Sequence, residues 1–103
     1  MERKIHENIS DVRVEVHCGK IYFRRSEDNT VRIVAANMMD NNIRIHSHKN
    51  KLSVKCILQT PTEIQIYLPE VLNSIEVISD SGQLNFNDIE LNYADITSGG
   101  DII

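Results

Sequence analysis

His46 and His48 stand two residues apart, a spacing that puts both imidazoles on one face of an extended strand, and His17 offers a third nitrogen donor upstream. Three such donors suit zinc, but no cysteine or carboxylate pattern completes a tetrahedral set, so the reading is of exposed, solvated histidines with no metal. Asp80, Asp88, Asp95 and Asp101, with Asn85, Asn87 and Asn92, give the second half of the chain oxygen-rich turns. Calcium needs six to eight converging oxygens, and the regular nonapeptide calcium repeat is missing; the same residue types satisfy tight backbone turns without an ion. Ser81-Gly82 and Ser98-Gly99-Gly100 look like phosphate cradles, yet neither feeds a helix N-terminus, where an anion site would form. With no Gly-x-Ser-x-Gly elbow, His-Glu-x-x-His pair or phosphate loop, the expectation is a non-enzyme with no catalytic residue, no metal and no cofactor.

Cys18 and Cys56 both fall on the apolar phase of an alternating run, Val12-Val14-Val16-Cys18 and Leu52-Val54-Cys56-Leu58. They read as two small core residues, with a disulfide between them left open, since both side chains point to one interior. Charge is divided along the chain. All eleven Lys and Arg lie at or before Lys55. Residues 1–55, with seven acids, carry a formal +4, and residues 56–103, with eight acids and no Lys or Arg, a formal −8. Basic pairs such as Arg24-Arg25 and Lys49-Asn50-Lys51 come without a nucleic-acid motif and with only 5% aromatic residues, so they read as solvated strand faces and turns, and no nucleic-acid partner is expected.

The elements that must position these groups are strands. A length of 103 residues with 41% hydrophobic content bounds the chain to one domain with a modest core. Residues 1–10 hold Arg3, Lys4 and Glu7 and no apolar run; they read as a flexible segment without signal peptide or membrane anchor, before a single all-β domain over 11–103. From Asp11 onward the apolar period is two. Val12, Val14 and Val16 lead through Gly19-Lys20 to Ile21 and Phe23, which reads as a hairpin. Val31, Ile33 and Ala35, then Ile43 and Ile45, Leu52 to Leu58, and Ile64, Ile66 and Leu68 follow, with Pro61 and Pro69 as boundaries. Val14, Val16, Ile21, Phe23, Ile33, Ile45, Val54, Ile64, Ile66, Leu68, Val77, Leu84, Phe86 and Ile96 each follow the apolar phase of their own strand and are expected to form one continuous core.

Beyond Pro69 a phrase returns. Val77-Ile78-Ser79-Asp80-Ser81-Gly82-Gln83-Leu84 is echoed by Asp95-Ile96-Thr97-Ser98-Gly99-Gly100-Asp101-Ile102, and faintly upstream by Val16-His17-Cys18-Gly19-Lys20-Ile21. Short rungs of this kind cannot bury their apolar face alone, so the fold expected is a short β-solenoid, or a sandwich with solenoid character. Gly82 and Gly100 recur at one step, as positions hostile to a Cβ.

With Ile64-Gln65-Ile66-Tyr67-Leu68-Pro69 before them, these phrases resemble the bacterial putative-adhesin β-strand-repeat domains, whose alternating strand ends in Leu-Pro before repeated Ser-Gly-(Asp or Asn)-Ile steps. The likeness runs from about Val12 and is best over 64–103. It implies a β-solenoid-like fold and an extracytoplasmic setting, and brings no catalytic residue. The function expected is a structural or interaction module, with glycan binding or a sensory role in a membrane-anchored protein as alternatives. A last rung at Asp101-Ile102-Ile103 would leave an open end, so self-association or a protein partner is expected.

Overall fold

A computed structural model of the chain describes residues 2–6, 8–17, 19–28, 30–35, 42–57, 62–69, 72–79, 82–86, 94–98 and 101–102, the backbone alone at 62, 94–98 and 101–102. Eleven strands are described: β1 (Glu2–Ile5), β2 (Asp11–Val16), β3 (Gly19–Arg25), β4 (Val31–Ala35), β5 (Ile43–His48), β6 (Lys51–Cys56), β7 (Thr62–Leu68), β8 (Ser74–Ser79), β9 (Gln83–Asn85), β10 (Ala94–Ser98) and β11 (Asp101–Ile102). They form two open mixed sheets, ordered β1-β4-β7-β3-β9-β11 and β10-β8-β2-β6-β5. No helix among the described residues is long and apolar enough to cross a membrane.

Four times the chain leaves a strand of the second sheet and enters one of the first: β2 to β3, β6 to β7, β8 to β9 and β10 to β11. These pairs stack in parallel and in the same order in both sheets, with β2–β3 between β6–β7 and β8–β9. A coil would climb the stack in chain order. Here the chain places its second such pair on one flank of the first and its third on the other, so the described strands form an all-β, sandwich-like pair of sheets, and a solenoid is not shown among them. Antiparallel strands close one end, β4 and β1 beyond β7 and β5 beyond β6.

Val16 to Ile21 is therefore a corner and not the expected hairpin: β2 and β3 lie in different sheets. Gly19 takes φ 119° at the start of β3, and Gly82 takes φ 118° at the equivalent corner before β9, both in the region that only glycine enters freely. The two corners stack, since Lys20 is the register partner of Gln83. Residues 1–10, read as a flexible segment, supply β1, which pairs with β4 from Glu2↔Val34 to Ile5↔Val31. Ile5 and Ile9 are buried, so the domain begins before Asp11.

Period two sets the inward face everywhere, for example in the buried pattern of Val12, Val14 and Val16 on β2. Of the expected core, eleven residues are buried, from Val14 to Leu84. Ile45 and Phe86 are only partly buried against it, and Ile96 is described by backbone alone. Leu52, Leu72, Ile75 and Cys56 join the core as well. Cys56 carries a free thiol, while Cys18 lies outside the described residues.

The sequence of β7 to β8 is held to the start of β2 by hydrogen bonds. The backbone amides of Asn73 and Ser74 donate to the Ser10 carbonyl at 2.7 and 3.2 Å, and on the other side the amides of Ser10 and Asp11 donate to the Asn50 carbonyl at 2.9 and 3.1 Å. The Asn73 and Ser74 amides are thereby satisfied where the chain enters β8 beside the start of β2.

Two predictions follow from the core and the corner. Phe86 stacks on Phe23 with ring centroids 4.5 Å apart and planes 2° from parallel, but solvent reaches Phe86 while Phe23 is 1% exposed. Phe23→Ala is expected to cost about 3–5 kcal/mol and Phe86→Ala about half of that or less, read by urea titration. Equal losses would contradict this placement. A Cβ at Gly82 would stand 1.9 Å from the Gly19 carbonyl oxygen, a backbone atom that cannot step aside. Gly82→Ala should thus cost more than about 2 kcal/mol, and the neighbouring Gln83→Ala close to nothing, in the same titration.

Candidate functional site

The histidines flagged by their spacing do not converge. His46 and His48 lie exposed on β5, where His46 pairs with Ser53, itself the register partner of Arg13. His17 follows the far end of β2, four residues beyond Arg13, which is about 13 Å along the strand at 3.3 Å per residue. Among the described residues no three His, Cys, Asp or Glu side chains come together to hold a metal. Asp80, Asp88, Asn87 and Asn92 lie outside the described residues, as do Ser81, Gly99 and Gly100; Asp95 and Asp101 are placed in β10 and β11 by backbone.

What the sheets do assemble is an outer face on the first sheet. Register puts Lys4, Arg32, Tyr67 and Arg24 in one row across β1, β4, β7 and β3. The next row holds Glu2, Val34, Gln65, Tyr22 and Asn85. The Arg32 guanidinium carbon lies 4.2 Å from the Tyr67 ring centre, and that of Arg24 lies 5.6 Å from the Tyr22 ring. The Tyr67 hydroxyl donates to Gln65 Oε1 at 3.0 Å. Two tyrosine rings, each with a guanidinium over it and an amide between them, make a face with flat apolar patches and fixed hydrogen-bonding groups.

Beside this face, where β3 turns into β4, lies a cleft of about 170 Å³ lined by Lys4, Arg25, Ser26, Glu27, Asp28, Thr30, Arg32 and Tyr67. Asp28 organises it. One carboxylate oxygen accepts from Thr30 Oγ1 at 2.6 Å, Ser26 Oγ at 2.8 Å and the Thr30 amide at 3.3 Å; the other accepts from Lys4 Nζ at 2.7 Å. The turn thereby anchors the edge strand β1. Arg32 Nε is buried in this wall without a hydrogen-bond partner, 3.7 Å from Glu2 Oε1. Two cations of the wall thus have an acid close by: Lys4 has Asp28 and Arg32 has Glu2. Such a balanced surface suits an uncharged polar ligand better than a polyanion.

The sequence reading missed Lys4 and Asp28 because it set residues 1–10 apart. The outward phase of Tyr22, Tyr67 and Arg32 was visible in the alternation; that they share adjacent rows follows only from the non-local pairing of β3, β4 and β7.

Two aspartates have their acid form disfavoured. The Lys4 ammonium, then the Thr30 and Ser26 hydroxyls, hold the Asp28 carboxyl far below the usual range, and the Ser74 hydroxyl, then the Asn73 amide, lower that of Asp11. A folded-state value below the ordinary 3.8 means stabilisation that is present above that pH and lost as pH falls through the lowered values. Melting temperature is therefore expected to fall as pH drops below about 4, and Asp28→Asn, less stable at neutral pH, should show a shallower acid limb. An unchanged acid limb in that variant would contradict the assignment.

No family model and no curated protein matches the chain. Solved structures do share its fold. A putative cell adhesion protein from Clostridium sporogenes matches at 15% identity over 98% of this chain and 58% of its own, with a TM-score of 0.62. A putative adhesin from Bacteroides fragilis matches at 16% identity over 99% and 51%, with a TM-score of 0.64. A protein described as a putative lipid binding protein from Parabacteroides distasonis matches at 10% identity over 99% and 50%, with a TM-score of 0.53. The chain spans a little over half the length of these structures, and at such identities the likeness is one of fold: the two-sheet architecture is that of solved proteins named putative adhesins.

Proposed function

We propose that the chain is a non-enzymatic interaction module, a short stack of strand pairs with solenoid character that works at a bacterial surface or envelope and binds through its outer faces and edges. The fold likeness to proteins named as adhesins supports the class. The space between the sheets supports the route: Val14, Ile33, Ile64, Ile66, Val77 and Leu84 fill it at 0% exposure, so binding belongs to the outside. A protein partner or a further copy of the chain fits this reading, and nucleic acid fits less well, because Lys4 and Arg32 of the outer face stand beside acids.

The observation that carries it is the row of Tyr67 and Arg32 beside Tyr22 and Gln65. A tyrosine face stacks on the apolar side of a sugar ring, while guanidinium and amide groups bond its hydroxyls, and this favours a neutral glycan as the ligand class. The test is an NMR titration with neutral oligosaccharides. Shifts should centre on Tyr22, Gln65 and Tyr67, and a Tyr22→Ala/Tyr67→Ala variant that keeps its melting temperature should lose about tenfold or more in affinity. Binding unaffected by that variant would overturn the assignment of the face.

A further inference from the structure

The second sheet turns a different surface outward from that of the tyrosines. Strands β5 and β6 with the turn between them, residues 43–56, carry Arg44, Lys49, Lys51 and Lys55 and no acid. Alternation puts Arg44, His46 and His48 outward on β5 and Lys51, Ser53 and Lys55 outward on β6, and all six are exposed. The antiparallel register sets them in three rows: Arg44 opposite Lys55, His46 opposite Ser53, and His48 opposite Lys51. Opposed residues lie about 5 Å apart and the two outer rows about 13 Å apart, so cations stand at both ends of a narrow strip with hydrogen-bonding groups between them. Arg44, Lys49 and Lys51 form no ion pair among the described residues, and Lys55 reaches Glu15 only at 4.0 Å.

The neighbouring strands limit what fits. On β2, Asp11 and Glu15 are the register partners of Lys51 and Lys55, and Glu76 follows on β8 beside Arg13. Asp11 is held by its own hydrogen bonds from the Ser74 hydroxyl and the Asn73 amide, so its carboxylate borders the strip without closing over Lys51. An anionic ligand on β5 and β6 must be narrow, since one that spread across the sheet would meet these acids about 5 Å further on. A lipid surface and a nucleic-acid duplex fit less well for that reason. A single nucleic-acid strand needs rings for its bases to stack on, and the described outward side chains of β5, β6, β2 and β8 include no Phe, Tyr or Trp. Between the two cationic rows, the His46 imidazole and the Ser53 hydroxyl suit a chain whose charges are separated by hydroxyl groups.

We propose that the outer face of β5 and β6 binds an acidic polysaccharide, a linear chain of sugars bearing carboxylates, laid along the strands. Its carboxylates meet Arg44 and Lys55 at one end of the strip and Lys51 and Lys49 at the other, and its hydroxyls lie over His46 and Ser53. Much of the affinity comes from counterions that the polyanion releases, so binding weakens steeply with salt. The strip is on the other sheet from Tyr22 and Tyr67, so the inference does not rest on the neutral-glycan assignment, and the two titrations fail independently.

The probes are an oligomer of galacturonic acid, the same oligomer as its uncharged methyl ester, and an oligomer of glutamic acid of equal length, each titrated into the unmodified chain and followed by NMR. The acid sugar is expected to shift residues 44–55, to lose about tenfold or more in affinity between about 50 and 200 mM salt, and to bind about tenfold or more tightly than its ester. Lys51→Ser/Lys55→Ser, which changes exposed side chains only, should lower its affinity about tenfold. Arg3→Ser/Lys20→Ser removes the same charge from the first sheet and should change it by no more than about twofold. The absence of shifts at millimolar oligomer overturns the proposal, as do shifts centred outside 44–55, equal binding of the ester, or an equal loss in the Arg3→Ser/Lys20→Ser variant. Glutamate oligomer bound as tightly as the acid sugar would make an acidic polypeptide the occupant and overturn it too.

Discussion

The Gly19 carbonyl and the Cα of Gly82 lie too close for any side chain to stand between them, and the rest of the fold is built around that contact. Strict register between strand pairs requires their corners to superpose, and superposed corners bring backbone onto backbone. Once Gly82 sits on Gly19, Lys20 faces Gln83 and Ile21 faces Leu84, and across the corner Val14 faces Val77. A side chain at that corner would push the two layers apart and break both ladders together. Burial of some of the largest fully enclosed residues, Ile21, Leu84 and Ile75, thus depends on two atoms that have no side chain at all.

Charge follows the same stacking axis. Along the outer face of the second sheet, Arg44, Lys55 and Glu15 share one row, and His46, Ser53, Arg13 and Glu76 another. Among the described residues, bases of the first half and acids of both halves therefore interleave where β2 meets its neighbours β6 and β8. Arg13 lies 3.6 Å from Glu76, and Lys55 lies 4.0 Å from Glu15. These groups are about half exposed, so such pairs add little stability; what they give is a gradient that distinguishes one end of the stack from the other.

The alternation made the strands and most of the core readable, because a half-buried strand has no other way to satisfy two faces. Which strands become neighbours was not readable. The links 17–18 and 49–50 both span two residues between alternating strands, yet the first turns from sheet to sheet and the second closes the β5–β6 hairpin with Lys49 at φ 56°. In both, the inward phase shifts by one residue across the link, from Val16 to Ile21 and from Ile45 to Leu52, so period two cannot tell a corner from a hairpin. The stretch 1–10 failed for another reason. Glu2, Arg3 and Lys4 look solvated because an edge strand at the rim is solvated, and its single inward residue, Ile5, is too little signal for a pattern. Tyr67 and Arg32 were legible as outward residues, but their meeting is a product of β4 crossing back to β7, which no local pattern encodes.

A stack of this kind leaves little choice about where its residues can vary. Among the described residues the interior is filled by side chains within each layer, and two of the corners are constrained by Gly19 and Gly82. Variation without loss of fold is confined to outward positions and to the ends. At the outward positions a single substitution changes one point of a row, and rows such as Lys4, Arg32, Tyr67 and Arg24 draw one residue from each of four strands that are distant in sequence. Among the described residues, a filled interior and outward rows drawn from strands distant in sequence thus leave the outer faces as the place where the chain can change without losing its fold.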